Sequence, residues 1–268
     1  MSSENGFWFR INLGPFFLEL RPKSSLGCLL TLLLFLLFLS VSVVLTIKIY
    51  SIVFPILVKR LGITSGVGIA LLIATALCAR INIPLYVVAV WNNYVRYDLF
   101  PIWLLKFNNS TYRAHFQPHT YVGINVTGGL IPLTLALYQF SRTPPFAIFT
   151  VTAIVAVISY FFVRVEPGVG IYFKSGLFWV VTFITALSAL WIVIEGADRA
   201  DASVAFAGGV LGTLLGADLL HLKDIQPEKA MTPLSIGGAG LDDGIALCGL
   251  YSLLLAEWIP NLFAFLKL

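Results

Sequence analysis

The sequence predicts an all-α, polytopic transmembrane helical bundle of about seven spans (roughly six to eight), some of the helices discontinuous. Three observations carry this expectation. Of 268 residues, 59% are hydrophobic and 11% are charged, where a soluble domain carries about 25% charged residues. Mean hydropathy is +0.92, an apolar excess that a chain of this size has no soluble core large enough to hide. The apolar residues also fall in long runs, and about 20 residues suffice to cross a bilayer core.

Residues 1–25 mix Phe7, Trp8, Phe9, Phe16 and Phe17 with Arg10, Arg21 and Lys23, a composition suited to a cytoplasmic or interfacial segment. Residues 26–268 read as a single transmembrane domain. A first crossing at 26–47 continues past Lys48 to the Lys59-Arg60 pair. The second apolar run, 63–91, is too long for a simple crossing and contains Arg80, Asn82 and Pro84. Proline removes a backbone donor and disfavours helix at the residue before it, so a broken helix is expected there. Residues 92–119 form a polar hinge, with an inner apolar stretch at 99–105 that either re-enters the bilayer or lies flat.

The third span is expected at 121–140, with Gly128, Gly129 and Pro132 inside it. The fourth, 146–163, is followed by a turn at Glu166-Pro167-Gly168. The fifth is 177–194, and Glu195-Gly196-Ala197-Asp198-Arg199 makes a tight polar link. The sixth and seventh are 202–222 and 236–258.

A net charge of +4 invites a nucleic-acid reading, but the 17 Lys and Arg stand singly and form no basic stripe, so nucleic acid is excluded as a partner. Scattered cations between apolar segments instead orient a membrane protein. With seven alternating spans, the N-terminal side receives ten of them: Arg10, Arg21, Lys23, Arg96, Lys106, Arg113, Arg164, Lys174, Lys223 and Lys229. The other side receives five: Lys59, Arg60, Arg142, Arg199 and Lys267. The N-terminus is thus expected in the cytoplasm and the C-terminus opposite. Cys28, Cys78 and Cys248 lie in apolar segments without metal or redox spacing, and His115, His119 and His221 show no ligand spacing. Neither metal nor cofactor is expected. Asn108, Asn109 and Asn125 give weak glycosylation matches.

An ionisable group near the membrane centre costs at least ~2.5 kcal/mol, so it is normally paired, internal and functional. Asp218, in Gly216-Ala217-Asp218-Leu219, lies two thirds along the sixth span. Asp242 and Asp243 follow Gly237-Gly238-Ala239-Gly240-Leu241, where glycines permit close backbone approach and the helix dipole favours carboxylates. Asp218 and Asp242 fall on adjacent antiparallel helices and are expected to face each other at similar depth. Two such carboxylates cannot both ionise cheaply. That suits an aspartyl hydrolase, in which one activates water and the other protonates the leaving group; it suits a proton relay equally well. Gly238 and Gly240 would admit a substrate backbone. Arg80 with Asn82, and Asn125 with Gly128 and Gly129, mark interrupted helices of the kind that build a midplane substrate site, and Arg80 would neutralise Asp218 or Asp242 or grip an anion. Tyr97-Asp98 reads as a solvated loop.

The segments Ile81-Asn82-Ile83-Pro84-Leu85, Asn125-Val126-Thr127-Gly128-Gly129-Leu130-Ile131-Pro132, Gly216-Ala217-Asp218-Leu219 and Ser235-Ile236-Gly237-Gly238-Ala239-Gly240 through Gly244-Ile245 together resemble an uncharacterised family of prokaryotic multi-pass membrane proteins (domain of unknown function 1614). The resemblance spans residues 81–255 and implies a membrane fold without implying a chemistry. A looser similarity is to the Gly-x-Gly-Asp intramembrane aspartyl proteases, although here Leu241 separates Gly240 from Asp242.

Three functional classes follow. The first is an intramembrane aspartyl hydrolase acting on a peptide, with Asp218 and Asp242 or Asp243 as its dyad. The second is a proton- or ion-coupled transporter for a small solute, with Arg80, Asn82 and Asn125 lining its site. The third is a non-catalytic subunit of a larger membrane complex, or of a homo-oligomer. Membrane lipids are partners in all three.

Overall fold

The computed structural model describes residues 9–13, 16–20, 25–91, 94–99, 117–166, 170–174, 176–193, 200–224 and 234–265. The chain divides into two compact units, Met1–Ile56 and Leu57–Leu268.

The first unit holds an antiparallel hairpin of β1 (Phe9–Leu13) and β2 (Phe16–Leu20), then most of α1 (Ser25–Leu61). From Leu32 to Ile49 the large apolar side chains of α1 are exposed. A helix apolar all round is stable only when its surroundings are apolar, as lipid is.

The second unit is mostly helical, built around α6 (Asp201–Thr213). Every residue of α6 from Ala202 to Val210 is buried, and most are small. Small residues let helix backbones approach closely where no hydrophobic effect drives association. A Cβ placed on Gly208, Gly212 or Gly216 would collide with Val151, Val155 or the Ala156 backbone of α4 (Pro145–Phe162). Helix α4 answers with a buried stripe of Ala147, Ile148, Val151, Val155, Ala156 and Ser159, the helical three-and-four spacing of one face. On another side, α6 meets α7 (Gly244–Phe265), where Gly209 lies against Cys248 and Ser252, and Gly249 lies against Phe206 and Val210. Two shorter helices, α3 (Ile131–Gln139) and α5 (Leu177–Val193), also pack on α6. Away from the aspartates, Arg60 pairs with Glu257, and Ser203 Oγ donates to the Arg60 carbonyl at 2.6 Å.

Among the described residues, four helices are long and apolar enough to cross a membrane: Thr31–Leu61, Pro145–Phe162, Asp201–Leu222 and Gly244–Phe263. Shorter apolar helical stretches run over Ser65–Cys78, Val126–Gln139 and Leu177–Val193.

An all-α fold was expected, and the structure corrects this. A four-stranded sheet of order β4-β3-β5-β8 joins β3 (Asn82–Trp91), β4 (Tyr94–Leu99), β5 (Gln117–Asn125) and β8 (Leu234–Ile236). The expected broken helix over 63–91 is instead α2 (Ser65–Cys78) followed by β3. Its second half, Tyr86-Val87-Val88-Ala89-Val90-Trp91, is β-branched and aromatic, which favours a pleated strand over a helix. Pro84 sits beside a register irregularity, where its missing donor is tolerated. The first part of the third expected span is β5, and helix begins only at Val126. The Tyr97-Asp98 segment is not a loop: Tyr97 pairs with Val88 and Asp98 with Val87. A second hairpin, β6 (Val163–Glu166) with β7 (Gly170–Phe173), links α4 to α5. Asn108, Asn109, His115, the 195–199 link and most of the 99–105 stretch lie outside the described residues.

Candidate functional site

Asn125 is 1% exposed and ends β5 by capping the turn that follows. Its Oδ1 accepts from the N–H of Thr127 at 2.9 Å and of Gly128 at 3.0 Å, satisfying donors that a helix start leaves orphaned. Its Nδ2 donates to the Ala79 carbonyl at 3.0 Å and to Asn82 Oδ1 at 3.1 Å. Ser235 Oγ donates to the same Asn82 oxygen at 2.6 Å. These bonds join Asn82 of β3, Asn125 of β5 and Ser235 of β8.

The turn Val126–Leu130 is a wide π-helical turn. Its Gly128 and Gly129 face Gly237, whose φ is +74°. A Cβ on Gly128 would fall on the Gly237 and Gly240 carbonyl oxygens. Only glycine lets the two segments meet so closely. Gly240, at φ +66°, begins a short 3-10 turn ending at Asp242.

Asp243 sits at the N-cap of α7. Its Oδ1 accepts from the Ile245 N–H at 3.0 Å and its Oδ2 from the Ala239 N–H at 3.3 Å. Burial pushes its carboxyl above the usual carboxylate range, and these two N–H donors pull partly back.

Asp218 closes a second π-helical turn, Leu214–Asp218, at the end of α6. It shares with Asp242 and Asp243 the wall of a cavity of about 360 Å³. All three aspartates singled out in the sequence line this cavity, and Asp242 is exposed. Apolar and aromatic groups complete the wall, among them Tyr172 and Phe173 of β7 and Phe178 of α5. The Tyr172 hydroxyl donates to Glu166 at 2.5 Å, and that carboxylate holds the phenol proton above its ordinary range.

The remaining expected site residues lie elsewhere. Arg80, Asn82, Asn125, Gly128, Gly129, Gly238 and Gly240 do not border this cavity. Arg80 is exposed, and among the described residues it forms no ion pair with Asp218 or Asp242. His221, near Asp218 in sequence, donates from Nδ1 to the Gly216 carbonyl at 3.0 Å and stacks on Tyr160 at 4.6 Å.

Residues 76–255 match a family model described as a protein of unknown function, DUF1614. The chain belongs to this DUF1614 family. The DUF1614 region contains both π-helical turns, the four-stranded sheet and all three aspartates of the cavity. No curated protein and no solved structure matches the chain. Sequence reasoning missed the cavity's aromatic wall. Its signal was the alternating Val163-Arg164-Val165-Glu166 and Gly170-Ile171-Tyr172-Phe173 around Pro167-Gly168, a hairpin pattern.

Proposed function

We propose that the cavity is the active site of an intramembrane aspartyl hydrolase, with Asp218 and Asp243 as its acid–base pair and a peptide as substrate. The single observation carrying this reading is that both carboxylates line one cavity. Two neighbouring carboxylates in a dry setting retain one proton between them. Asp243, accepting from two backbone N–H groups, is the ionised member; Asp218 carries the proton. The ionised carboxylate takes a proton from water as the oxygen adds to the scissile carbonyl carbon, and the acid gives its proton to the carbonyl oxygen. The resulting gem-diol collapses. One diol hydroxyl returns a proton, the nitrogen receives one, and the C–N bond breaks to an acid and an amine. Asp242 stays at the rim as an accessory charge.

The proposed topology is seven crossings, from the four long helices and the three shorter apolar ones. Strand β8 pairs with β5, so both lie at one end of the bundle, and four of these helical segments intervene between them. An even number of crossings satisfies that pairing. The same alternation puts the β6–β7 hairpin and the aspartates at the N-terminal end, which the excess of Lys and Arg assigns to the cytoplasm.

The test is proteoliposomes of the full chain with a set of single-span model substrates. Wild type and Asp242→Asn cleave, while Asp218→Asn and Asp243→Asn do not. Cleavage retained in Asp218→Asn would remove the reading. Transport is a second reading, favoured by the two π-helical turns, one beginning Val126–Gln139 and one interrupting Asp201–Leu222, since such turns concentrate at functional sites. It predicts solute flux driven by a pH gradient across the same vesicles, with Asp218→Asn abolishing it.

A further inference from the structure

Three consecutive residues of β7, Ile171, Tyr172 and Phe173, line the cavity, against Val163 alone from β6. Successive side chains of a strand point to opposite faces, so a cavity lying on one face touches only every second residue. A cavity that touches three in a row lies along the strand's edge. That edge is the one turned away from β6, and among the described residues no other strand pairs with β7.

The parity of the hairpin ladder decides which backbone groups this edge offers. The Lys174 N–H donates to the Phe162 carbonyl at 3.0 Å, and the register sets Val163 opposite Phe173 and Arg164 opposite Tyr172. Tyr172 therefore exchanges its hydrogen bonds with Arg164, while Ile171 and Phe173 turn their N–H and C=O groups away from β6. The Val163 N–H likewise turns away, back to the Ser159 carbonyl of α4. Proteins commonly guard an unused strand edge with charge or proline. Here the outward groups belong to an isoleucine and a phenylalanine, and the next cation, Lys174, is held back by its Nζ donating to the Phe161 carbonyl at 2.9 Å. Strand β7 also meets both elements that carry the aspartates. It packs on the Leu214–Asp218 turn, and a Cβ on Gly244, next to Asp243, would lie 3.0 Å from the Phe173 ring.

We propose that the outer edge of β7 binds the substrate: a peptide segment lies along it in extended form as a third strand, exchanging main-chain hydrogen bonds with Ile171 and Phe173, its scissile carbonyl beside Asp218 and Asp243. This rests on the hydrolase reading and names the conformation in which that site takes its substrate. A membrane-spanning helix keeps every peptide group in its own hydrogen bonds. Pairing with β7 replaces those bonds where the segment unwinds, and holds the peptide group open to attack.

The probe is a peptide of apolar residues around a non-cleavable hydroxyethylene isostere, made as a series with a single N-methyl group at each amide in turn. Its Kd is measured on the full chain in detergent. A methyl at every second position meets an amide that faces β7 and should weaken binding roughly tenfold, the size of one net hydrogen bond, while at the positions between the change should stay under about threefold. Hydrogen exchange on the same complex should slow at the Ile171 and Phe173 amides when the probe binds, whereas the Tyr172 amide is slow with and without it. If the probe binds but methylation shows no two-residue alternation, or the Ile171 and Phe173 amides exchange unchanged, the strand proposal fails and the hydrolase reading stands. If no probe binds and none of the single-span substrates is cleaved, the hydrolase reading fails and takes this proposal with it.

Discussion

Gly128 and Asp243 are packed so tightly that a Cβ on the glycine would lie 3.0 Å from the Asp243 Cβ. The π-helical turn that follows β5 is thus the floor on which the capping aspartate of α7 rests. Any side chain at Gly128 must displace either the Gly237–Gly240 backbone or Asp243 itself. Gly128→Ala is expected to reduce folded protein by about 1–3 kcal/mol of stability, as overpacking does, and to disturb Asp243. Unfolding in a mixed-micelle denaturant titration measures the first effect.

Asp243 has two roles that mutation separates. Asparagine caps helices as well as aspartate does, whereas alanine loses the cap at about 1 kcal/mol. Asp243→Asn should therefore keep the helix cap and lose cleavage, while Asp243→Ala loses both. Thermal unfolding beside the cleavage assay distinguishes them.

The pH dependence has a definite sign. Burial raises the folded-state pKa of Asp243, so the folded chain binds this proton more tightly than the unfolded chain does. Between the ordinary carboxylate value, about 3.9, and the raised value, this group's contribution falls as pH rises. It is most favourable at the acid end of that window. The stability difference between wild type and Asp243→Asn, followed by unfolding at a series of pH values, should slope downward across it.

The contact between α4 and α6 depends on absent side chains. Gly212→Val would press against Val155 and should cost about 1–3 kcal/mol or prevent folding. Gly66→Ala, with nothing within 4 Å, should be neutral or slightly stabilising, since alanine is the better helix former. Yield of monodisperse protein after detergent extraction provides the comparison.

Apolar run length located the helices at 145–162 and 201–222 to within one residue, because a bilayer imposes length on sequence directly; the last, expected at 236–258, is instead helix at 244–263, because strand β8 and the glycine turns occupy its first residues. The sheet was hidden by the same criterion. Tyr86-Val87-Val88-Ala89-Val90-Trp91 is as apolar as a crossing, and only its β-branched and aromatic character marks it as strand. Asp218 and the Asp242-Asp243 pair were legible because charge is costly in lipid. Asn82 and Asn125 stood out for the same polar contrast, and their hydrogen bonds go to each other, to Ser235 and to backbone.

The central claim is that Asp218 and Asp243 act as one unit. Its most direct test is a double-mutant cycle on cleavage rate in proteoliposomes, with Asp218→Asn, Asp243→Asn and the two combined. Residues that share one reaction step are strongly non-additive. The account predicts that each single change abolishes cleavage to background and that the double change is no worse. Two partial losses whose free energies simply add, or a single variant that cleaves like the wild type, would contradict it.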